Sequence, residues 1–157
     1  MKLRLDHVFE NPGESVSFEC PLDLGDACFR QTAASGRVFN KNGLVELHAR
    51  VNVTYTGACD RCTVQTDLSF LFDFSHTLVT SLNHEENDVL ILVSDGVLDL
   101  DGLLVSDVLL HLPSKFLCDP DCKGLCPDCG NNLNIQSCQC SKAAIDPRLA
   151  GLKDLLK

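Results

Sequence analysis

The chain has 157 residues, of which 45% are apolar, and a formal net charge of −9 at pH 7. A chain of this length can bury one substantial hydrophobic core, while its apolar stretches are interrupted by acidic residues and are too short to span a bilayer. The acidic excess lies entirely in residues 1–117, which excludes a general electrostatic attraction to the phosphate backbone of nucleic acids.

The first half of the chain predicts antiparallel β-hairpins. Residues 1–20 alternate loosely between apolar and polar side chains, and Asn11-Pro12-Gly13 interrupts them, which predicts two strands joined by a turn. A short strand over residues 33–40 then leads into Asn42-Gly43, the strongest two-residue hairpin signal. The alternating residues 45–55 predict the returning strand.

A third hairpin is predicted around a Cys-x-x-Cys turn. Residues 64–74 alternate, with aromatic side chains on one face, so that Cys59-Asp60-Arg61-Cys62 lies at the tip between this strand and the preceding one. Two short strands are predicted over residues 89–93 and 97–100, on either side of the turn Ser94-Asp95-Gly96.

A helix is predicted after these strands, from Asp101 as its N-terminal cap to Leu112, with Pro113 ending it. Residues 113–142 are rich in Pro, Gly, Asn and Cys and have too few large apolar residues to form a core, so that their order requires something other than packing, such as a metal ion. Asp146-Pro147 then begins a short C-terminal helix with leucines on one side.

The ten cysteines of the chain indicate metal binding. Residues 1–7 mix basic residues with an acid and a histidine and lack the apolar region of a secretory signal, which favours a cytoplasmic protein. In that reducing compartment, cysteines serve as free thiols or metal ligands more often than as disulfides. Six of the ten lie between Cys118 and Cys140, at short spacings that suit ligand-bearing turns.

Eight of the cysteines are predicted zinc ligands because they lie at ligand spacings. They are Cys59, Cys62, Cys118, Cys122, Cys126, Cys129, Cys138 and Cys140. Cys126 and Cys129 form a knuckle followed by glycine and predict, with Cys138 and Cys140, one four-thiolate site. The other four can form a second site, so that one or two structural Zn²⁺ ions are expected.

Another partition of the ligands is open, in which Cys118 and Cys122 share one ion with Cys126 and Cys129. The remaining cysteines, Cys20 and Cys28, are isolated and are interpreted as buried or incidental thiols.

These patterns predict an α+β protein that is mainly β. Residues 1–112 are expected to form an antiparallel β-domain, as a sheet or a partly open barrel, with one helix near 101–112. A Cys-rich zinc-binding segment in residues 113–142 is expected to pack against the Cys59–Cys62 turn. A short helix is expected in residues 143–157.

The second half of the chain contains a series of short motifs. They are Cys59-Asp60-Arg61-Cys62, Asp121-Cys122-Lys123-Gly124-Leu125-Cys126-Pro127, Cys129-Gly130, Asn132-Leu133-Asn134, Cys138-x-Cys140 and Ile145-Asp146-Pro147-Arg148-Leu149. Over residues 50–157 the sequence strongly resembles the YceD family in its Gram-positive bacterial form. The resemblance implies a non-catalytic role in ribosome biogenesis, in the accumulation or processing of the 23S ribosomal RNA of the large subunit.

The resemblance leaves several kinds of partner: precursor RNA of the large subunit, a basic ribosomal protein, or a processing factor. Neither a membrane nor a small-molecule substrate is expected. A few basic residues accompany the Cys-rich segment and could form a small phosphate contact, whereas the acidic body suits a basic protein. These residues are Arg61, Lys115, Lys123, Lys142 and Arg148.

A thiol–disulfide redox protein is the alternative function, because Cys126 and Cys129 also match the Cys-Pro-x-Cys form of thiol oxidoreductases. In such enzymes the pair begins a helix whose N-terminus lowers the thiol pKa. The residues Gly130-Asn131-Asn132 do not favour a helix at this point.

Overall fold

A computed structural model describes residues 1–81 and 90–140 of the chain. The chain divides into two compact units, which are described separately. Unit 1 consists of Met1–Gly57 and Thr66–Ser114, and unit 2 consists of Ala58–Gln65 and Lys115–Lys157. The C-terminal helix predicted in residues 143–157 lies outside the described residues.

The described part of the chain is mainly β, as predicted. Its strands are β1 (Lys2–Arg4), β2 (Ser15–Pro21), β3 (Phe29–Lys41), β4 (Leu44–Ala58), β5 (Gln65–Val79), β6 (Leu90–Leu92) and β7 (Val97–Asp99). Its helices are α1 (Asp6–Glu10) and α2 (Leu100–His111), and Ser94–Gly96 forms a 3₁₀ turn.

The strands form two sheets. The larger one has the order β2-β3-β4-β5-β6, and the smaller one pairs β1 with β7. The pairs β2–β3, β3–β4 and β1–β7 are antiparallel, in agreement with the antiparallel β-domain predicted, and β6 runs parallel to β5. A parallel partner requires a longer connection than a hairpin turn, and residues 80–89 separate these two strands.

The hairpin predicted at Asn42-Gly43 is confirmed. Both residues have positive φ, of 55° and 92°, as a type I′ turn requires. The two strands pair from Lys41↔Leu44 onward, with one register shift between Arg30 and Ala33. Glycine fits the second position because it has no Cβ to oppose a left-handed backbone.

The hairpin predicted within residues 1–20 is wrong. β1 pairs with β7 instead of β2, and Asp6–Glu10 forms the short helix α1. The misleading signal lies at Leu5 and Val8, which are both fully buried but three residues apart, a spacing that fits one helical face. The backbone N–H of Leu5 donates to the carbonyl of Gly96 at 2.7 Å, beside the β1–β7 pair.

One face of the large sheet is buried in the core of unit 1. The inward residues of β4 alternate with exposed ones, and the helix α2 adds apolar side chains to the same cluster. The fully buried members include Leu47, Val51, Val53, Leu100, Leu104 and Val108. Packing of this apolar face is the main source of stability for unit 1.

The predicted helix near 101–112 is present as α2, but its N-terminal cap lies two residues earlier than expected. Asp99, not Asp101, accepts a hydrogen bond from the backbone N–H of Gly102. Asp101 instead lies in the first turn of the helix, where its negative charge interacts favourably with the positive end of the helix dipole. Leu112 ends the helix with extended backbone, as Pro113 demands of the preceding residue.

A buried asparagine that the hydrophobic pattern did not indicate joins three elements of unit 1. Asn40, near the end of β3, is 3% exposed. Its Nδ2 donates to the carbonyl of Val8 in α1 at 2.7 Å, and its Oδ1 accepts from the N–H of Gly43 at 2.8 Å. The side chain therefore satisfies both its donor and its acceptor while holding the helix and the turn.

Neither helix in residues 1–81 and 90–140 is long and apolar enough for a membrane span.

Leu104 and Leu110 form a matched test of this core, because they lie in one helix and differ in burial. Leu104 is fully buried, whereas Leu110 is 82% exposed. We expect Leu104→Ala to lower the free energy of unfolding by about 2–5 kcal/mol through lost burial and a residual cavity. Leu110→Ala should change it by less than about 0.5 kcal/mol. Urea denaturation followed by circular dichroism measures both, and equal losses would contradict the assignment of Leu104 to the core.

Candidate metal centres

Unit 2 is organised around the turn that follows β4. The N–H of Cys59 donates to the carbonyl of Val64 at 2.8 Å, and the N–H of Thr63 donates to the carbonyl of Cys59 at 2.9 Å. Thr63 has φ of 60°, which closes the turn in the left-handed region. The two cysteines of the Cys-x-x-Cys motif are therefore held on one tight loop, with both side chains buried.

Backbone groups of the Cys-rich segment form hydrogen bonds with this turn. Asp60 and Phe116 exchange two hydrogen bonds: the N–H of Asp60 donates to the carbonyl of Phe116, and Asp60 Oδ2 accepts from the N–H of Phe116 at 2.6 Å. Further along, the N–H of Leu125 donates to the carbonyl of Arg61 at 3.0 Å. Arg61 Nη1 in turn donates to the carbonyl of Cys122 at 2.9 Å.

These contacts bring together a first tetrad of thiols, Cys59, Cys62, Cys118 and Cys122, whose sulfur atoms all lie within 4.8 Å of one another. The Sγ–Sγ distance is 3.8 Å between Cys59 and Cys122 and 3.5 Å between Cys62 and Cys118. Three of the four side chains are buried, and Cys118 is exposed. Four sulfur donors converging on one point are an arrangement that suits a tetrahedral metal ion.

A second tetrad consists of Cys126, Cys129, Cys138 and Cys140, with the same limit of 4.8 Å between sulfur atoms. The knuckle is a tight turn in which the N–H of Gly130 donates to the carbonyl of Cys126 at 2.9 Å. Gly130 has φ of 73°, a conformation that a side chain would oppose. Only Cys126 is buried in this tetrad, so that its sulfurs are more accessible to solvent than those of the first.

All eight cysteines predicted from the sequence thus fall into two groups of four. The grouping is the one in which the Cys59–Cys62 turn joins Cys118 and Cys122, and the alternative sharing of these two with Cys126 and Cys129 is not found among the described residues. Cys20 lies in the core of unit 1, and Cys28 is partly exposed there. Neither belongs to a tetrad in residues 1–81 and 90–140.

The thiols of the first tetrad differ in acidity. The pKa of Cys59 is lowered to about 6, chiefly because the backbone N–H of Cys118 donates to its sulfur, with the N–H groups of Cys62 and Arg61 adding to the effect. The pKa of Cys118 is raised to about 12, chiefly because its thiol is hydrogen-bonded to the Cys62 sulfur. One thiolate therefore forms readily, while the next deprotonations bring like charges together.

The second tetrad shows the same division. Hydrogen bonds from the backbone N–H groups of Cys129 and Asp128 lower the pKa of Cys126 to about 7. The pKa of Cys140 is raised to about 12, chiefly through its hydrogen bond to the Cys129 sulfur. A divalent cation would relieve the repulsion among four thiolates, and soft sulfur donors favour zinc or a similarly thiophilic metal. The donor set and its geometry therefore fit a metal ion in each tetrad.

The fold and the two tetrads define the class of this protein, which is a small β protein with two four-thiol clusters. Residues 47–156 match the family described as Large ribosomal RNA subunit accumulation protein YceD. Because this match covers well over half of the chain, the chain belongs to the YceD family, as the sequence motifs predicted.

Curated relatives are similar over different shares of the chain. The protein YlbN of Bacillus subtilis is 25% identical over 172 aligned positions, which cover all of this chain and 97% of that protein. An uncharacterized protein of Mycobacterium tuberculosis is 37% identical over 106 positions, covering 64% of this chain and 50% of its own length. No solved structure matches the chain at a significant level.

A plant protein extends this comparison. The Arabidopsis thaliana protein named "Large ribosomal RNA subunit accumulation protein YCED homolog 1, chloroplastic" is 28% identical over 149 positions. These cover 75% of this chain and 46% of the plant protein. The chain therefore spans about half the length of its mycobacterial and plant relatives and nearly all of the Bacillus one.

Asn134 is the residue at this site whose role the spacing of the cysteines did not reveal. Its Nδ2 donates to Cys122 Sγ at 3.2 Å, although Asn134 lies between the cysteine pairs of the other tetrad. The available signal was the Asn-rich stretch Asn131-Asn132-Leu133-Asn134 between the two pairs. Short amides often hydrogen-bond locally in such loops, but the pattern does not say to what.

The tetrads predict a metal stoichiometry that variants can test. Native mass spectrometry of protein produced with zinc in the medium should show two bound divalent ions per chain. The double variant Cys62→Ser/Cys122→Ser should retain one, because it removes two sulfur ligands from the first tetrad only. Cys28→Ser is the matched control and should retain two. Binding of two ions by the double variant would contradict this assignment of ligands.

Metal affinity should fall with acidification, because protons compete with the metal for thiolates. The lowered pKa values of Cys59 and Cys126 favour the thiolate fully above the ordinary thiol value of 9.0, and this advantage disappears as pH falls through about 6 and about 7, respectively. Competition with a chromophoric chelator between about pH 8 and pH 5 measures the affinity. A pH-independent affinity would contradict thiolate ligation.

Proposed function

We propose that this protein is a non-catalytic, zinc-binding factor in ribosome biogenesis, which promotes accumulation or processing of the 23S RNA of the large subunit. The observation that carries the proposal is the match of residues 47–156 to a family named for accumulation of the large ribosomal RNA. The name of the chloroplastic relative supports the same role. In a bacterial cell this factor would act in the cytoplasm.

The zinc part of the proposal rests on the composition of unit 2. Its buried cluster consists of Cys59, Cys62 and Cys122 with Leu117 packed against them, and ordinary apolar residues are otherwise scarce. The only β-structure within residues 115–140 is an isolated bridge between Leu125 and Asn132. A metal ion in each tetrad would supply the free energy of folding that packing lacks here.

The non-catalytic part of the proposal rests on ligand number. Four thiolates complete the tetrahedral shell of zinc, so that no position is left for a reactive water molecule. This is the usual arrangement of structural zinc sites.

The redox alternative, with Cys126 and Cys129 as the active pair, is less well supported by the same tetrad. Both thiols lie beside Cys138 and Cys140, and residues 126–140 form turns without a helix. The N-terminus of a helix, which activates such pairs in oxidoreductases, is therefore absent from these residues.

The charge of the described surface favours a basic protein as the immediate partner. Four sulfur ligands around one Zn²⁺ carry a net charge of about −2, which would add to the acidic excess of the chain. Of the five basic residues that could form an RNA contact, Arg61 is already hydrogen-bonded to the carbonyl of Cys122, and Lys142 and Arg148 lie outside the described residues. Only Lys115 and Lys123 remain among the described residues. A ribosomal protein held before it joins the particle fits these charges better than bare RNA.

Deletion of the gene in its own host tests the ribosomal role. We expect less mature large-subunit RNA relative to small-subunit RNA, with accumulation of its precursor, measured by quantitative northern blotting. Wild-type protein and Cys28→Ser should restore the ratio, whereas Cys62→Ser/Cys122→Ser should not, because unit 2 loses a metal site. An unchanged ratio in the deletion strain would refute the ribosomal proposal.

A further inference from the structure

Asn134 connects the two tetrads. It lies in the loop between Cys129 and Cys138, which both belong to the second tetrad. Its side chain nevertheless reaches the first tetrad, because Nδ2 donates to Cys122 Sγ at 3.2 Å. Its Oδ1 accepts from the N–H of Lys123, the residue after that ligand, at 2.7 Å. A single amide therefore holds both the sulfur and the backbone of a first-tetrad ligand.

The amide is itself held in place by its own loop. Asn132 Oδ1 accepts from both the backbone N–H and the Nδ2 of Asn134, each at 2.9 Å. The N–H of Leu133 donates to the carbonyl of Gly124 at 2.9 Å, and the N–H of Cys126 donates to the carbonyl of Asn131 at 2.8 Å. The loop between the second-tetrad cysteines is thus bonded to the stretch that joins the two tetrads.

Closure of the second tetrad would fix this loop at both ends. An ion bound to Cys129 and Cys138 removes most of the conformational freedom of the residues between them. Asn134 is then already oriented toward Cys122 when the first tetrad binds its ion. A hydrogen bond from an amide to a ligating sulfur stabilises its thiolate and fixes its direction, both of which raise metal affinity.

From this geometry we propose that the two tetrads bind metal cooperatively and that Asn134 is the positioning residue that couples them. The inference rests on the proposed metal binding of both tetrads. Because coupling free energy is reciprocal, an ion in the first tetrad raises the affinity of the second by the same factor. Partial loading therefore gives mainly empty and doubly loaded chains.

The test is a titration of the full chain with Zn²⁺ against a competing chelator, with the species counted by native mass spectrometry. At half-saturating zinc, wild-type protein should contain little of the one-zinc form. Asn134→Ala keeps all eight thiols and should accumulate that form, with affinity of the first tetrad lowered about 10–100-fold. Asn131→Ala is the matched control, since the backbone carbonyl of Asn131, and not its side chain, takes part in the loop hydrogen bonds.

A double-mutant cycle separates coupling from general loosening of unit 2. Cys138→Ser/Cys140→Ser disables the second tetrad and leaves the first to be measured alone. In that background Asn134→Ala should have no further effect, because the loop no longer presents the amide. Full additivity of the two changes would overturn the coupling.

The remaining outcomes distinguish this inference from the proposed function. Wild-type protein that binds two zinc ions with a statistical share of the one-zinc form would overturn the coupling alone. An Asn134→Ala variant indistinguishable from wild type would do the same. If neither wild-type protein nor the Asn134→Ala variant binds zinc, both the coupling and the proposed zinc sites would be overturned.

Discussion

Convergence of four sulfur atoms from two distant stretches of chain is the constraint on which unit 2 depends. Cys59 and Cys62 lie on a turn between two long strands, whereas Cys118 and Cys122 follow α2, and their sulfurs meet within 4.8 Å. Backbone hydrogen bonds between Asp60 and Phe116 and between Arg61 and Leu125 accompany this meeting. These hydrogen bonds hold the Cys-rich segment against the turn.

The two units offset the conformational entropy lost on folding in different ways. Unit 1 buries an alternating apolar face, with residues such as Leu47, Val51 and Leu104 removed from water. Unit 2 has no comparable apolar cluster among its described residues, since its buried core is mainly sulfur. If metal ions occupy the tetrads as proposed, unit 2 should respond to pH and to chelators much more directly than a packed sheet does.

The sequence predicted best those features that depend on local chemistry. Asn42-Gly43 permits a turn with two positive φ values, so that this hairpin was recognised without a structure. The cysteine spacings indicated which eight thiols could be ligands but left open how they divide into two groups. Features decided by distant contacts were missed. The segment after β1 forms a helix because Leu5 and Val8 are buried together, and β6 pairs in parallel with β5 because of its tertiary position.

The same distinction applies to single side chains. Asp99 and Asp101 are chemically equal candidates for the cap of α2, and only the path of the chain selects Asp99. Asn40 and Asn134 read as ordinary polar residues, yet each spans separate elements through both ends of its amide. Such roles depend on which distant segments the fold brings together, and residue spacing along the sequence does not reveal these contacts.

The ligands of the first tetrad flank residues 63–117, which include all of β5, β6, β7 and α2. An ion held by these ligands would therefore act as a covalent staple acts, closing a long loop and shrinking the ensemble of the unfolded chain. For a loop of this length, such a closure removes entropy worth about 4 kcal/mol from the unfolded state. Metal loss would then weaken the β-sheet region without breaking any contact inside it, so that the thiols control more of the chain than they touch.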